Sequence, residues 1–318
     1  MALAANNPMD LSRTSRPENL EQAVASIFRY AFVTDSEEGL IVVDVNTFQD
    51  GDPTNNYIER AVTFDGGGAL VGAQAITIAG NHAYIVSAKT GLNIVDISKP
   101  TAPRMVATVG APGIIEPRAV QVQFRYAFVV DREGMKVVDV TRVDRPRVTS
   151  ARVAIADARD LYLLRTYAYV AAGAQGLAII DIEKAEAPRQ PSFYDAGGKM
   201  NDATGVTIAA TYAGQYAYVA DGKNGLKVIR LIDSGVPNYI GWSPAPMPEL
   251  VAWLPTWGPA LRIAEGYHRD RPNDESGNQI GISNRLGARP FNALELERFY
   301  LKNNELYTVE STTPRIKR

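Results

Sequence analysis

Along this chain, large apolar residues alternate with small ones over short stretches, and polar turns separate the stretches. The arrangement recurs five times: Tyr30-Ala-Phe-Val-Thr-Asp35, His82-Ala-Tyr-Ile-Val86, Tyr126-Ala-Phe-Val-Val-Asp131, Tyr167-Ala-Tyr-Val-Ala171 and Tyr216-Ala-Tyr-Val-Ala-Asp221. Each copy continues into a second apolar run led by glycine: Gly39-Leu-Ile-Val-Val-Asp44, Gly91-Leu-Asn-Ile-Val-Asp96, Gly134-Met-Lys-Val-Val-Asp139, Gly176-Leu-Ala-Ile-Ile-Asp181 and Gly225-Leu-Lys-Val-Ile-Arg230. A period of two predicts strands, and β-branched runs that are apolar on both faces predict strands buried between stacked sheets. The polar, glycine-bearing turns between the two runs predict tight hairpins.

A third strand is expected ahead of each pair, at Ala23–Phe28, Ala75–Ala79, Ala119–Phe124, Asp160–Leu164 and Gly205–Ala209. A fourth is expected after a proline-marked turn, at Pro103–Thr108, Pro146–Ser150, Pro188–Pro191 and Pro237–Gly241. Proline is tolerated at the start of an edge strand, where its missing N–H is not needed. The leading glycines step by 52, 43, 42 and 49 residues, the spacing of propeller blades. One four-stranded antiparallel blade cannot bury both its faces, so neighbours must pack face to face. The predicted fold is therefore an all-β propeller.

This reading divides the chain into an N-terminal segment (1–21), propeller repeats (22–242) and a proline- and aromatic-rich extension (243–318) that packs on the propeller or on a partner. Ser243-Pro-Ala-Pro-Met-Pro248 reads as a stiff connector. Asn292 is placed to cap one short helix over 293–301, and residues 303–309 read as a final strand. The tail and the N-terminal segment together could supply a divergent sixth blade, so the blade count stays open.

Charge changes the picture mainly by exclusion. Lys and Arg number 33 against 35 Asp and Glu, and no basic field points to nucleic acid. Absent cysteine, there is no disulfide, thiol catalysis or iron–sulfur ligation in this chain. No apolar run approaches the roughly 18 residues of a membrane span. Met1-Ala-Leu-Ala-Ala5 has the small residues of a cleavage site without the basic and apolar regions that precede one.

The Gly-Leu-x-Ile/Val-Val/Ile-Asp-Ile/Val signature, fullest at Gly91–Ile97 and Gly176–Ile182, resembles the LVIVD repeat family, as does the Ser98-Lys-Pro-Thr-Ala-Pro103 link. The fifth copy departs from it, with Arg230 in place of the aspartate. The resemblance implies a propeller of bacterial or archaeal exported or surface proteins, some of them found beside multihaem cytochromes. It carries over no catalytic residue and no cofactor.

Four sets of residues stand out as sites. Asp44, Asp96, Asp139 and Asp181 end a buried strand before a turn, where a carboxylate caps backbone N–H groups; Asp35, Asp131 and Asp221 sit at the hairpin entrance on the same logic. Gln22, Gln74, Arg118, Arg159 and Thr204 align just ahead of the first strand of each blade. They are expected to ring one mouth of the channel, where they would hold an anion, a partner's loop or only water. Trp242, Trp253 and Trp257 share one proline-rich stretch, as a partner-binding patch or as pins for the tail. His82 and His268 lack ligand spacing, and the acidic cluster at Asp270, Asn273, Asp274 and Glu275 lacks the pattern of a calcium loop, so no metal is predicted.

The expected function is a non-catalytic scaffold for other protein subunits, placed by the resemblance outside the cytoplasm and beside a multihaem cytochrome. One alternative is a small-molecule site or an enzyme at the channel mouth. Another is a surface self-assembly module.

Overall fold

In the computed structural model, residues 2–3, 30–44, 59–210, 214–239, 241 and 243–264 are described, together with the pairs 285–286, 289–290, 301–302 and 305–306. The described residues form five four-stranded antiparallel sheets and no helix. Sheet one is β1 (Ala2–Leu3), β2 (Tyr30–Asp35), β3 (Gly39–Asp44) and β4 (Glu59–Phe64). Sheet two is β5 (Ala73–Ala79), β6 (His82–Ser87), β7 (Gly91–Asp96) and β8 (Arg104–Val109). Sheet three is β9 (Ala119–Gln123), β10 (Tyr126–Asp131), β11 (Gly134–Asp139) and β12 (Arg147–Ala154). Sheet four is β13 (Asp160–Leu164), β14 (Tyr167–Ala171), β15 (Leu177–Asp181) and β16 (Ser192–Tyr194). Sheet five is β17 (Gly205–Ala210), β18 (Gln215–Ala220), β19 (Leu226–Ile232) and β20 (Glu249–Leu254).

The chain divides into two compact units. One comprises Met1–Leu3, Phe32–Val42 and Val62–Glu265; the other comprises Ala4–Ala31, Val43–Ala61 and Gly266–Arg318. The second unit holds two short pairings, β21 (Arg285–Leu286) with β22 (Arg289–Pro290) and β23 (Leu301–Lys302) with β24 (Glu305–Leu306).

The core lies between consecutive sheets. Tyr84, Val86, Leu92 and Ile94 of sheet two pack on Val120, Ala127, Val129 and Val138 of sheet three. The opposite face of sheet three, with Phe128, Val130, Met135 and Val137, packs on Leu161, Val170, Ala178 and Ile180 of sheet four. The far face of sheet four, with Tyr169, Leu177 and Ile179, packs on Val206, Ile208, Ala217 and Ile229 of sheet five. The two-sided apolar runs are thus buried on both faces, each Val or Ile contributing about 1.5–3 kcal/mol relative to exposure. The signature glycine of every copy has positive φ. At Gly134 (φ +129) the carbonyl of Val153 on the outer strand closes over the position, so a Cβ there would collide with backbone.

Two outer strands differ from the sequence expectation. Pro188–Pro191 is not a strand, and pairing begins at Ser192. Pro237–Gly241 is also not the outer strand of sheet five: β19 runs on through Leu231 and Ile232, two residues past the position where its counterparts end, Asp233 makes a turn by accepting from the Gly235 N–H (2.8 Å), and Glu249–Leu254 takes the edge instead. Sheet five therefore reaches past residue 242 into the stretch expected to be an extension. The strand expected at Ala23–Phe28 lies outside the described residues, and β1 is the neighbour of β2. The helix expected over 293–301 also lies outside them except for Leu301, which pairs with Leu306 in β23–β24.

Candidate functional site: a charge ladder and an apolar edge

The residues ahead of the inner strands occupy equivalent places. Arg118, Arg159 and Thr204 each donate their backbone N–H to a carbonyl near the end of the second strand of their own sheet, that of Val130, Ala171 and Ala220 respectively, all at 2.8 Å. Gln74 differs, standing exposed within β5 at a register irregularity. Gln22 lies outside the described residues.

Carboxylates two residues upstream bind the arginines, and they join one sheet to the next. Arg118 Nη1 donates to Asp157 Oδ1 at 2.7 Å and to the Ala158 carbonyl at 3.1 Å. Arg159 binds Asp157 Oδ2 through Nε at 2.8 Å and Asp202 Oδ1 through Nη1 at 2.7 Å. Arg262 continues the series to Asp160 at 3.0 Å. The Thr204 hydroxyl lies between the carbonyls of Ala220 (3.0 Å) and Ala260 (2.7 Å). Arg159 and then Arg118 hold the Asp157 carboxyl below its ordinary range, and Asp157 raises Arg159 in return.

These side chains are about one-third exposed, so each pair contributes about 0.2–1 kcal/mol. Two guanidinium groups face two carboxylates, which leaves Arg118 and Arg159 without a free positive charge for an anion. Backbone pairing reinforces the seam: Gly173 forms a β-bridge with Ala203, and Gly222 one with Ala260. Both glycines are obligatory, because a Cβ on either would run into the Asp157 or Asp202 carboxylate.

Aspartates ending the third strand form a separate set at the opposite end of the sheets. Asp96, Asp139 and Asp181 each accept the N–H two residues on, at 2.8, 2.9 and 2.9 Å. Each also meets an arginine eight residues later: Arg104 at 2.6 Å, Arg147 at 3.4 Å and Arg189 at 3.3 Å. The bond from Ser98, with help from Arg104, brings the Asp96 carboxyl down to about 2. In sheet five the polarity is exchanged: Arg230 stands opposite Glu249 in the register, binds it, and also meets Asp233 at 2.9 Å. Asp44 ends β3 in the corresponding position.

Hairpin-entrance aspartates hold buried lysines in two sheets, a pairing the sequence reading did not find. Asp131, wholly buried, meets Lys136 Nζ at 2.7 Å and accepts from the backbone of Ile115 and Glu133. Asp221 accepts from the Asp202 N–H (2.7 Å), and Lys227 is 3.8 Å away. Desolvation dominates there and raises the Asp221 carboxyl. The same two places hold Ser87 with Asn93 in sheet two and Ala172 with Ala178 in sheet four. The internal signal was there, as paired changes between copies.

Trp253 lies in β20 and is 63% exposed; Trp257, just beyond, is fully exposed, as Val251 and Met247 are in large part. Trp242 lies outside the described residues. At the register position of Trp253, β8 carries Thr108, β12 Arg152 and β16 the part-exposed Phe193. Among the described residues no group of His, Asp and Glu could hold a metal ion, and no helix is long and apolar enough to cross a membrane.

The model of the LVIVD repeat matches residues 29–55, 72–110, 155–192 and 207–230. The third copy falls between matched stretches but folds into sheet three like the others. A hypothetical selenium-binding protein from Sulfolobus tokodaii superposes with a TM-score of 0.50 at 9% identity, over 71% of this chain and 60% of that one. That likeness concerns the propeller-like all-β fold alone. A functionally unknown protein from Desulfotomaculum acetoxidans DSM 771 gives 0.48 at 12% identity, over 63% of this chain and 62% of that one, too slight a likeness to carry a conclusion. The chain thus spans about three-fifths of the length of each structure. No curated protein matches it.

Proposed function

We propose that this chain is a non-catalytic β-propeller scaffold whose partner is another protein subunit. The observation that supports the reading best is the outer edge of sheet five. There Val251, Trp253 and Trp257 stand in water, Trp253 at the register position that holds Thr108 in β8, Arg152 in β12 and Phe193 in β16. An edge strand with exposed tryptophans is costly to leave bare and suits a partner strand or groove. The LVIVD repeats further suggest an accessory subunit of an exported or cell-surface complex, associated with a multihaem cytochrome.

Purification of the native protein tests this. A stoichiometric second polypeptide is expected, with a haem Soret band if the partner is a cytochrome, and Trp253→Ser with Trp257→Ser should release it. A monodisperse monomer from the native source would refute the scaffold role; a partner without haem would refute only the cytochrome.

The channel-mouth ligand reading, enzyme or binder, has less support, because Asp157 and Asp202 already neutralise Arg118 and Arg159. Self-assembly would appear as ordered oligomers of the purified chain alone.

A further inference from the structure

The turn between β9 and β10 is two residues long, Phe124-Arg125, and Phe124 stands 94% exposed at its tip. Its backbone lies at φ +53, in the left-handed region, where a side chain is strained. The matching place in sheet two holds Gly80 (φ +59), the residue such a turn favours, and sheet four puts Arg165 there (φ +54). Gln123 Nε2 donates to the Arg165 carbonyl at 2.9 Å, so the turns of sheets three and four are neighbours. Burial does not offset the strain at Phe124, because its phenyl ring is left in water.

Arginines surround this tip. The register sets Gln123, Tyr126, Asp139 and Arg147 in one row of about 14 Å across the end of sheet three, so the Phe124 turn and the 140–146 loop share that end. The loop carries Arg142 and Arg145, which share Asp144 at 3.0 and 3.8 Å, and the three together keep a positive charge. Arg125 lies over the Tyr126 ring at 5.0 Å and donates to its hydroxyl at 2.7 Å; that hydroxyl donates to Glu186 of sheet four at 3.0 Å. Arg147 meets Asp139 and Glu186. With Arg165, five arginines thus face Asp139, Asp144 and Glu186, while Asp181 and Glu183 of the sheet-four loop are balanced by Lys184 and Arg189. The surroundings of Phe124 are basic in a chain whose net charge is −2.

We propose that Phe124, with Arg125, Arg142, Arg145 and Arg165 around it, docks this end of the molecule on an anionic lipid bilayer. The phenyl ring sits on a turn tip rather than in a groove, so its occupant must yield around it. The interfacial zone of a bilayer does so, and its acidic headgroups accept from the guanidinium groups. A protein partner would instead have to offer a matching pocket. The surface excludes Trp253 and Trp257 and does not rest on the scaffold reading.

Co-sedimentation of the full-length chain with vesicles is the test. Vesicles of phosphatidylcholine mixed with phosphatidylglycerol should retain the protein, and pure phosphatidylcholine at least about tenfold less. Phe124→Gly installs the residue that sheet two has at this turn, so it should melt no lower than the parent and still lose at least about tenfold in binding. Phe124→Asn, which tolerates the same backbone, should lose as much. Arg125→Glu with Arg142→Glu should also cost at least about tenfold, and added salt should weaken the parent's binding. Trp253→Ser with Trp257→Ser should bind like the parent. No retention by the mixed vesicles, equal retention by both kinds, undiminished binding of the Phe124 variants, or a loss confined to the tryptophan variant would each overturn the proposal. Release of a copurifying protein by Phe124→Gly, with vesicles ignored, would overturn it in favour of a protein interface.

Discussion

Removing Lys136 tests the reasoning about buried charge most severely. Its ammonium is 2% exposed and lies 2.7 Å from both Asp131 and the half-exposed Glu133, while the Asp131 carboxylate is wholly buried. Lys136→Met keeps most of the volume but leaves Asp131 with only the N–H groups of Ile115 and Glu133. An uncompensated buried carboxylate costs about 3 kcal/mol. Asp131→Ala costs about 2 kcal/mol, because those two donors lose their acceptor and Lys136 retains only Glu133. With both replaced, as sheet four does with Ala172 and Ala178, the unpaired charge disappears and the total should be about 2 kcal/mol rather than about 5. The coupling of about 3 kcal/mol is measured by a double-mutant cycle in urea, followed by far-ultraviolet circular dichroism. Additive losses would refute the reasoning, since they would mean that the two groups do not neutralise each other.

Three further outcomes are expected. Arg230→Asp sets three carboxylates together and should cost about 1 kcal/mol, which Glu249→Arg in the same chain should recover; urea midpoints of the single and double variants decide it. The Asp96 carboxyl, depressed to about 2 in the folded state, contributes stability that is fully present above about pH 4 and lost as pH falls toward 2. Asp96→Asn should therefore lose on the order of 1 kcal/mol at about pH 6 and almost nothing near pH 2, as read from paired denaturation curves. Gly173→Ala should destabilise by at least about 2 kcal/mol, against about 1 for Gly67→Ala, because both have positive φ but only Gly173 faces a carboxylate; thermal melts compare them.

The strands, their order within each sheet and the role of the signature glycine were legible because period-two patterning and repetition act locally. The outer strands of sheets four and five were not: a proline marks where an edge strand can begin, but pairing is decided by how far the third strand runs. Extending β19 through Leu231 and Ile232 carries the turn past Pro237 and delays the outer strand to Glu249. At the candidate site, alignment found Arg118, Arg159 and Thr204 but missed their acids. Asp157-Ala-Arg159 and Asp202-Ala-Thr204 place acid and partner two apart, and the decisive contacts join residues about 40 positions distant. Single-sequence spacing does not display a bond of that separation.

The reversed pair at Arg230 and Glu249 bears on how such a repetitive chain finds its partners. Near-identical hairpins invite cross-pairing during folding, in which the edge strand of one copy attaches to the body of another. If β20 attached to β7 or β11, Glu249 would face Asp96 or Asp139, and two acids would repel where an arginine belongs. The final edge thus carries a label that admits it to its own sheet and turns it away from the others.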